Sequence, residues 1–366
     1  MYKINQIKYL SFSVSNDYKK QNHIKKGVNI MKKRIKLLSL CIICILIFSQ
    51  TLLVSALTEI NNETSYPITT PYEYPIKPGT NEWINFKTHA EKVEACQIPQ
   101  EILCKMSTEA LVETILNYPL LIDMFAWNTF EDGYFMLSKT FNGIKELEYR
   151  NDSVYIVNNY KETKSFFGRE SSSINNNELI LKPLYLDIIN CGLINSRLVN
   201  KAPNDSVGSY ATYRYVYTPK GTAVAATYDT MWSDIRETEA QLQAAQNDVP
   251  KTYPSATLLR PYNIKYNCHS YAWYSTSSAN KYWIDDPISY MTDGSYIKSN
   301  LAVGAKVFYD SALGDKYDHS GIVTGYNYPI GGGVFVDSKW GKLGLYNHNL
   351  GDCPYQSYQP TCTFWK

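Results

Sequence analysis

Charged side chains are scarce in this sequence, and their signs nearly cancel. Only 19% of the 366 residues are charged, and 36 lysines and arginines against 34 aspartates and glutamates leave a net charge of +2. This balance excludes a disordered polyelectrolyte. It also gives nucleic acid and anionic membranes no electrostatic advantage as partners.

Metal-binding and redox motifs are missing as well. The chain has five histidines, no His-x-x-x-His pair, and no Cys-x-x-Cys pair after residue 56. These absences argue against a zinc ribbon, a thioredoxin-type motif and a metal hydrolase. We therefore expect no metal site and no cofactor.

Hydrophobic and aromatic residues are plentiful. At 44% hydrophobic residues the chain can bury at least one full core, and its length suggests more than one domain. The aromatic fraction is 14%, with 32 tyrosines. Tyrosine combines a flat apolar ring with a polar tip, which suits a polar, extended substrate.

Segment 37–56 is a long hydrophobic run, LLSLCIICILIFSQTLLVSA, preceded by four basic residues and closed by Ser55 and Ala56. It predicts a secretory signal peptide over 31–56, cleaved after Ala56, with 1–30 as an upstream extension of the reading frame. The alternative is a membrane anchor. Polar residues at 49–51 and the lack of a following basic cluster argue against it. We therefore expect a secreted or cell-wall-associated protein without a stable membrane anchor.

The rest of the chain divides by pattern into four parts. Residues 57–88 have no helical or strand period and are expected to be a linker. Residues 89–200 read as a mostly helical module of unknown role, with Pro99 in a first helical turn and Ser107 or Thr108 as a cap. Residues 201–254 predict a hairpin (210–218 and 222–228) and a bridging helix (229–246), and 255–366 form the last module. The predicted fold class is α+β.

Six cysteines follow residue 56. Two close pairs are plausible disulfides in a secreted protein, Cys96 with Cys104 and Cys353 with Cys362. Cys191 and Cys268 are left over. Cysteine usage therefore makes Cys268 a thiol of interest.

Residues with catalytic chemistry concentrate in the last module. Cys268 lies in YNCHSYAWY, where it can begin a helix whose amino terminus lowers the thiol pKa. His319 begins the strand pattern HSGIVTGY, and Asp337 lies in the next strand pattern, VFVDSKWG. These residue types predict nucleophile, general base and imidazole-orienting acid of thiol acyl transfer. Strand alternation puts Asp337 and Lys339 on one face and Ser338 on the other, and which face meets His319 stays open.

Residues 255–366 resemble the NlpC/P60 and CHAP superfamily of papain-like cysteine peptidases and amidases. Cys268 followed by Tyr271 and Ala272 matches the family's helix start, and His319 followed by Gly321-Ile322-Val323 matches its strand. The resemblance implies an antiparallel sheet packed on helices and cleavage of peptide or amide bonds in peptidoglycan. The sequence departs from the family where Gly304-Ala305 replaces Gly-Asp and where Lys339-Trp340 replaces an Asn-Trp pair.

Several residues are candidates for substrate contact. Asn267 can support the oxyanion, and His348 can orient or bind substrate. Aromatic residues are more often core packing, although rings beside a cleft also stack on sugars. The predicted substrate-binding set is Asn267, Tyr271, Trp273, Trp340 and His348.

Three other functions are weighed against a peptidoglycan hydrolase. One is a non-catalytic wall-binding protein that kept the fold. Another is a transglutaminase-like acyl transferase, because the same residues can pass an acyl group to an amine. The third is a metal hydrolase using His319, His348 and either Cys353 or Asp337, which the missing ligand motifs disfavour.

Overall fold

The computed structural model describes residues 66–167, 176–199, 213–228, 237–314, 317–327, 333–356, 358 and 360–366. Residues 66–366 form one compact unit. The predicted extension (1–30) and signal peptide (31–56) lie outside the described residues. None of the described helices is long and apolar enough to cross a membrane.

Short helices dominate the first half of this unit, as predicted, and side-chain caps fix several of their starts. Ser107 caps the helix that begins at Thr108, and Thr88 forms a capping box with Glu91. The helices are α1 (Asn81–Asn85), α2 (His89–Ala95), α3 (Gln100–Leu103), α4 (Thr108–Leu116), α5 (Phe130–Thr140), α6 (Asn142–Tyr149), α7 (Ser153–Phe167) and α8 (Asn176–Val199). A 3₁₀ segment, Leu121–Ala126, lies between α4 and α5.

The expected linker at 57–88 is wrong in its last part. Residues Asn81–Asn85 form α1, which Thr80 caps, and the Trp83 side chain is fully buried. The Trp83 indole N–H donates to the Thr252 carbonyl over 2.9 Å. A five-residue helix is too short to show a hydrophobic period, so the sequence pattern gave no sign of it.

The predicted hairpin is confirmed over β1 (Tyr213–Tyr217) and β2 (Ala223–Tyr228), with Gly221 at a φ of +89° in the turn. The bridging helix, α9 (Glu239–Thr252), begins and ends later than the predicted 229–246, and residues 229–236 lie outside the described residues. Pro250 lies inside it and does not stop it. A proline in the last turn removes only one backbone hydrogen bond, and the helix ends two residues after Pro250.

Strands of the last module form a seven-stranded sheet in which every pairing is antiparallel, in the order β3-β9-β8-β7-β6-β10-β5. A smaller sheet has the order β1-β2-β4. The structure is therefore mixed α+β, as predicted. The remaining elements are β3 (Thr257–Arg260), a π-helical turn (Ser270–Tyr274), β4 (Tyr282–Trp283), α10 (Ile288–Thr292), β5 (Lys298–Ser299), β6 (Lys306–Asp310), β7 (His319–Tyr326), β8 (Val334–Lys339), β9 (Leu345–Asn349) and β10 (Thr361–Trp365).

The two faces of the large sheet pack on different parts of the chain. Tyr309 and Val336 join the core that contains the helices of the first half, so we call theirs the helical face. Phe308 packs with Ala272 and Trp273 of the turn that follows Cys268, so we call the other side the cysteine face. Alternation along each strand decides which face a side chain meets.

Buried polar bonds tie the helices to the chain beyond residue 250. The Lys92 ammonium lies 2.6 Å from the Asp352 carboxylate, and both side chains are buried. The Tyr253 hydroxyl donates to Asp123 over 2.6 Å. The helical module thus serves as packing for the sheet in this structure.

The two predicted disulfides are absent. All six cysteines that the structure describes are free thiols. Cys96 is buried whereas Cys104 is exposed, and the Cys362 sulfur lies 3.6 Å from the Gln356 amide nitrogen. Closeness in sequence therefore did not bring either pair into bonding geometry.

Candidate active site

Asn267 fixes the start of the helix that carries Cys268. Its side-chain oxygen accepts from the Ser270 N–H over 3.1 Å and from the Ile284 N–H over 3.2 Å. Its side-chain nitrogen donates to the Ile284 carbonyl over 2.8 Å. Asn267 is therefore a helix cap, and its amide is already committed rather than free to support an oxyanion.

Cys268 is buried at this helix start, with 5% of its surface exposed. Burial raises the pKa of the Cys268 thiol to about 12, although backbone N–H groups of Ser320 and His269 and the charge of Lys339 act in the opposite direction. The predicted lowering of this pKa is wrong for the enclosed site. Desolvation of a thiolate outweighs the favourable dipoles of a helix start.

His319 is fully buried, and it is the first residue of β7. Its ring stacks on Tyr355, with centroids 3.4 Å apart and planes inclined by 7°. Among the described residues, neither ring nitrogen has a hydrogen-bond partner. Burial lowers the pKa of His319 well below its usual value, so the imidazole is neutral. A neutral imidazole with free nitrogens is able to accept a proton.

Cys268 and His319 lie at the same end of the sheet. The Cys268 sulfur is approached by the backbone N–H of Ser320, the residue that follows His319. Both nitrogens of the His319 ring are unpartnered among the described residues, so no hydrogen bond joins the Cys268 sulfur to this imidazole. His319 pairs with Tyr309 and points to the helical face, whereas the turn that follows Cys268 packs on the cysteine face, so the described conformation does not bring the imidazole to the sulfur.

Strand register places Asp337 away from His319. Asp337 pairs with Ile322, and Ile322 is three residues from His319, so Asp337 and His319 point to opposite faces. The Asp337 carboxylate accepts from the Asn347 side chain over 2.7 Å. Burial raises the pKa of Asp337. The structure does not bring this acid to the imidazole, and Ser338 is the β8 residue on the helical face with His319.

Two Trp-Ser-His hydrogen-bond sets lie on opposite faces of the sheet. On the cysteine face, the Ser320 hydroxyl is 2.8 Å from both the Trp273 indole nitrogen and His269 Nδ1. On the helical face, the Ser338 hydroxyl is 3.1 Å from the Trp340 indole nitrogen and 2.7 Å from His348 Nε2. Each serine accepts from an indole and donates to an imidazole.

These contacts describe the surroundings of the predicted substrate-binding residues in this conformation. Trp273, Trp340 and His348 are buried and bonded to the two serines. Tyr271 is also buried and stacks on Tyr266, with ring centroids 6.4 Å apart. In this structure these four side chains are core packing, and they do not border an open cleft.

The 3₁₀ segment Leu121–Ala126 covers the end of the sheet where Cys268 and His319 lie. The Lys342 N–H donates to the Phe125 carbonyl over 2.9 Å, and the Tyr355 hydroxyl donates to the Ala126 carbonyl. Gly341 has a φ of +44° and touches the backbone of Ala126 so closely that a Cβ atom would not fit. The segment therefore packs on the turn after β8 and on the residue whose ring stacks on His319.

Lys339 and Tyr355 are two site residues that sequence reasoning did not assign. Lys339 was visible only as a departure from the Asn-Trp pair of the resembling family. Tyr355 follows β9 in a short 3₁₀ helix, Pro354–Gln356, and no periodicity or motif links it to His319. Tyr355 reaches His319 because the chain after β9 folds back against the start of β7, and only the tertiary structure shows this contact.

No cluster of three or more His, Cys, Asp or Glu side chains that could hold a metal ion occurs among the described residues. No family model, curated protein or solved structure matches this chain.

Proposed function

We propose that the protein is a secreted cysteine hydrolase that cleaves peptide or amide bonds of peptidoglycan by thiol acyl transfer. The observation that carries the proposal is the position of Cys268, at a capped helix start beside the strand that begins with His319. His319 is buried, neutral and without a hydrogen-bond partner. An unpaired buried imidazole is costly for stability, so a functional role accounts for it.

The proposed reaction requires the His319 ring to leave its stack on Tyr355 and turn toward the sulfur. A His319 nitrogen then takes the thiol proton as the Cys268 sulfur attacks the substrate carbonyl carbon. The carbonyl oxygen becomes an oxyanion, and backbone N–H groups at the helix start can stabilise it. The C–N bond then breaks, and His319 returns the proton to the leaving amine. Water hydrolyses the resulting thioester, which restores the thiol.

The enclosed conformation adds a requirement to this proposal. Cys268 is 5% exposed and His319 is fully buried, so a polymer cannot reach them until the cover over the Gly341 turn separates. Opening would also hydrate the thiol and reduce the desolvation that raises its pKa. The described conformation therefore corresponds to a resting form of the proposed enzyme.

Peptidoglycan as substrate rests on the resemblance of 255–366 to the NlpC/P60 and CHAP superfamily, and secretion rests on the hydrophobic segment 37–56. The burial of the Cys268 thiol and of the neutral His319 imidazole does not depend on either.

The deciding experiment incubates residues 57–366, as wild type and as Cys268→Ala, with isolated peptidoglycan. Released fragments and new amino termini are read by mass spectrometry. Cys96→Ala is the matched control, because Cys96 is also a buried free thiol but lies among the helices. We expect fragments from the wild type and Cys96→Ala, and none from Cys268→Ala.

Other outcomes would point to the other functions. Equal fragment release by Cys268→Ala would refute a thiol mechanism. Wall binding without fragments from any variant would favour the non-catalytic binding protein. Incorporation of an added primary amine in place of hydrolysis would favour the acyl transferase.

A further inference from the structure

Lys339 is a lysine buried without an acidic partner. Its side chain is fully enclosed at the end of β8, and its ammonium nitrogen donates to the carbonyls of Gly341 over 2.5 Å and Leu343 over 2.6 Å. The nitrogen also lies 5.7 Å from the centre of the Tyr266 ring. Among the ion pairs of the described residues, none includes Lys339.

Two other buried lysines each have an acidic partner. Lys92 lies 2.6 Å from Asp352, and Lys342 lies 3.0 Å from Glu237, with all four side chains buried. A buried cation without a counter-ion is costly, because its desolvation is not repaid by an opposite charge. Two carbonyl dipoles compensate Lys339 only in part, so its position needs another explanation.

Cys268 supplies the missing anion when its thiol is ionised. The charge of Lys339 favours the thiolate form of Cys268, and the charge of Cys268 favours the ammonium form of Lys339. Burial lowers the pKa of Lys339 to about 7, and the positive charge of Lys342 acts in the same direction. Lys339 thus changes charge in the neutral pH range, and its ammonium nitrogen lies against the ring of Tyr266, two residues before Cys268.

We propose that Lys339 is the electrostatic partner of Cys268, and that its buried ammonium group stabilises the thiolate formed during acyl transfer. This inference rests on the hydrolase function proposed above. Lys339 would act through Cys268 and would not touch the substrate, so it is a positioning residue. When the sulfur loses its proton to His319, the ammonium group holds the negative charge until the C–S bond forms.

Several other titratable groups face this pair and must be considered in any pH profile. Those near the thiol or the lysine are Tyr266, His269, His319, Lys342, His348, Tyr355 and Tyr358. The three histidines are neutral near pH 7, since burial lowers the pKa of each. Burial raises the pKa of Tyr355 and Tyr358, so both phenols are neutral there too.

The pairing predicts an unusual pH profile for alkylation of Cys268. Above about pH 7 the pair of Cys268 and Lys339 carries one proton, which lies on the thiol in most molecules and on the amine in a small fraction of them. The fraction of molecules with a thiolate and an ammonium group therefore does not change with pH in this range. We therefore expect the rate constant with iodoacetamide, followed on the Cys268 peptide by mass spectrometry, to level off above about pH 7. An isolated thiol would instead react about tenfold faster per pH unit up to its own pKa.

Lys339→Met tests this assignment, with Lys306→Met as the matched control. Lys306 is a partly buried lysine on the same sheet and face, and it has a desolvation-lowered pKa of its own. We expect Lys339→Met to lose the plateau and to react about three- to thirtyfold more slowly below pH 7, which corresponds to a thiol pKa raised by about one to three units. Lys306→Met should keep the wild-type profile.

A second variant keeps the test decisive if Lys339→Met does not fold. His319→Phe removes the other basic group at the site, and its plateau should persist because His319 is already neutral in this range. A wild-type rate that rises steadily through pH 7, or a plateau that His319→Phe abolishes, would overturn the assignment to Lys339.

The peptidoglycan assay separates this inference from the function on which it rests. Thiol-dependent hydrolysis with a steadily rising alkylation rate would leave the hydrolase standing and remove Lys339 from it. A plateau in a protein whose Cys268→Ala variant is as active as the wild type would overturn the role of Lys339 in acyl transfer.

Discussion

His319 lies flat on Tyr355, with ring centroids 3.4 Å apart, and the Tyr355 hydroxyl donates to the carbonyl of Ala126. The stack positions the imidazole without using either of its nitrogens. It also links the candidate base to the 3₁₀ segment that covers the site. Any displacement of that segment therefore acts on the residue that orients His319.

Replacing His319 by Phe should separate function from stability. Phenylalanine can keep the stack on Tyr355, and it removes two buried nitrogens that make no hydrogen bonds, so the free energy of unfolding should stay equal or rise by up to about 2 kcal/mol. Hydrolysis of peptidoglycan should be lost. Urea unfolding and the fragment assay measure the two effects.

His348→Phe is the control for this prediction. His348 is equally buried, but its Nε2 is bonded to Ser338 over 2.7 Å and its Nδ1 to the Asn349 carbonyl over 2.8 Å. It should destabilise the protein by about 2–4 kcal/mol. Equal destabilisation by both substitutions would mean that His319 is a structural residue.

Ser320→Ala should destabilise the protein by removing one hydroxyl that serves two buried rings. The indole nitrogen of Trp273 and Nδ1 of His269 each lose a partner at 2.8 Å, at about 1–3 kcal/mol per unsatisfied group. Urea unfolding measures the loss. Ser299→Ala, at an exposed hydroxyl, should change little, and a Ser320→Ala effect within about 0.5 kcal/mol of the wild type would contradict the network.

Stability should fall on mild acidification because buried histidines must remain neutral in the folded state. Burial lowers the pKa of His269 to about 3 and that of His348 to about 4, from an ordinary value of 6.5. Between these values the unfolded chain binds more protons, so the free energy of unfolding decreases as pH falls below about 6.5.

The expected slope is up to about 1.4 kcal/mol per pH unit for each of these histidines. Urea titrations at a series of pH values measure it, and His348→Gln should reduce the slope by about the contribution of one histidine. A flat stability between about pH 6.5 and pH 4.5 would show that these imidazoles take up protons without unfolding.

Gly341→Ala should loosen the cover over the site. Gly341 combines a φ of +44° with close contact to the backbone of Ala126 and Trp127. Gly304 is a matched control, because its φ is +83° but a Cβ atom there would meet open space. Backbone strain of about 1–2 kcal/mol is common to both variants, so any additional destabilisation of Gly341→Ala reports the clash.

Cys268 reactivity provides the second measurement for this pair. Alkylation of Cys268 should be faster in Gly341→Ala than in Gly304→Ala, since only the former displaces the 3₁₀ segment. Equal rates would mean that this segment does not control access to the thiol.

Local signals in the sequence were sufficient for many elements of the fold. Ser107 as a helix cap, Gly221 in the hairpin turn and the alternating strand that begins at His319 depend on residues close together in the chain. Capping, turn geometry and strand alternation are local preferences, so a sequence pattern can express them. The sequence did not predict the short helix at 81–85, because five residues are too few to show a helical period of hydrophobic residues.

Local sequence signals were sufficient for only part of the candidate site. The sequence placed Cys268 at a helix start and His319 at a strand start, and both positions agree with the structure. It left the face of Asp337 open, and the pairing of Asp337 with Ile322 decided this question. It also predicted a lowered thiol pKa, whereas burial by distant segments raises it.

The sequence by itself therefore determined which residues are candidates for the chemistry and which local elements hold them. Tertiary structure alone decided that Tyr355 supports His319, that Lys339 faces Cys268 without a carboxylate, and that the segment before Trp127 encloses the site. Burial, strand register and charge pairing are set by residues far apart in the chain. Their physical effects on pKa and access depend on the folded neighbours, which no local pattern contains.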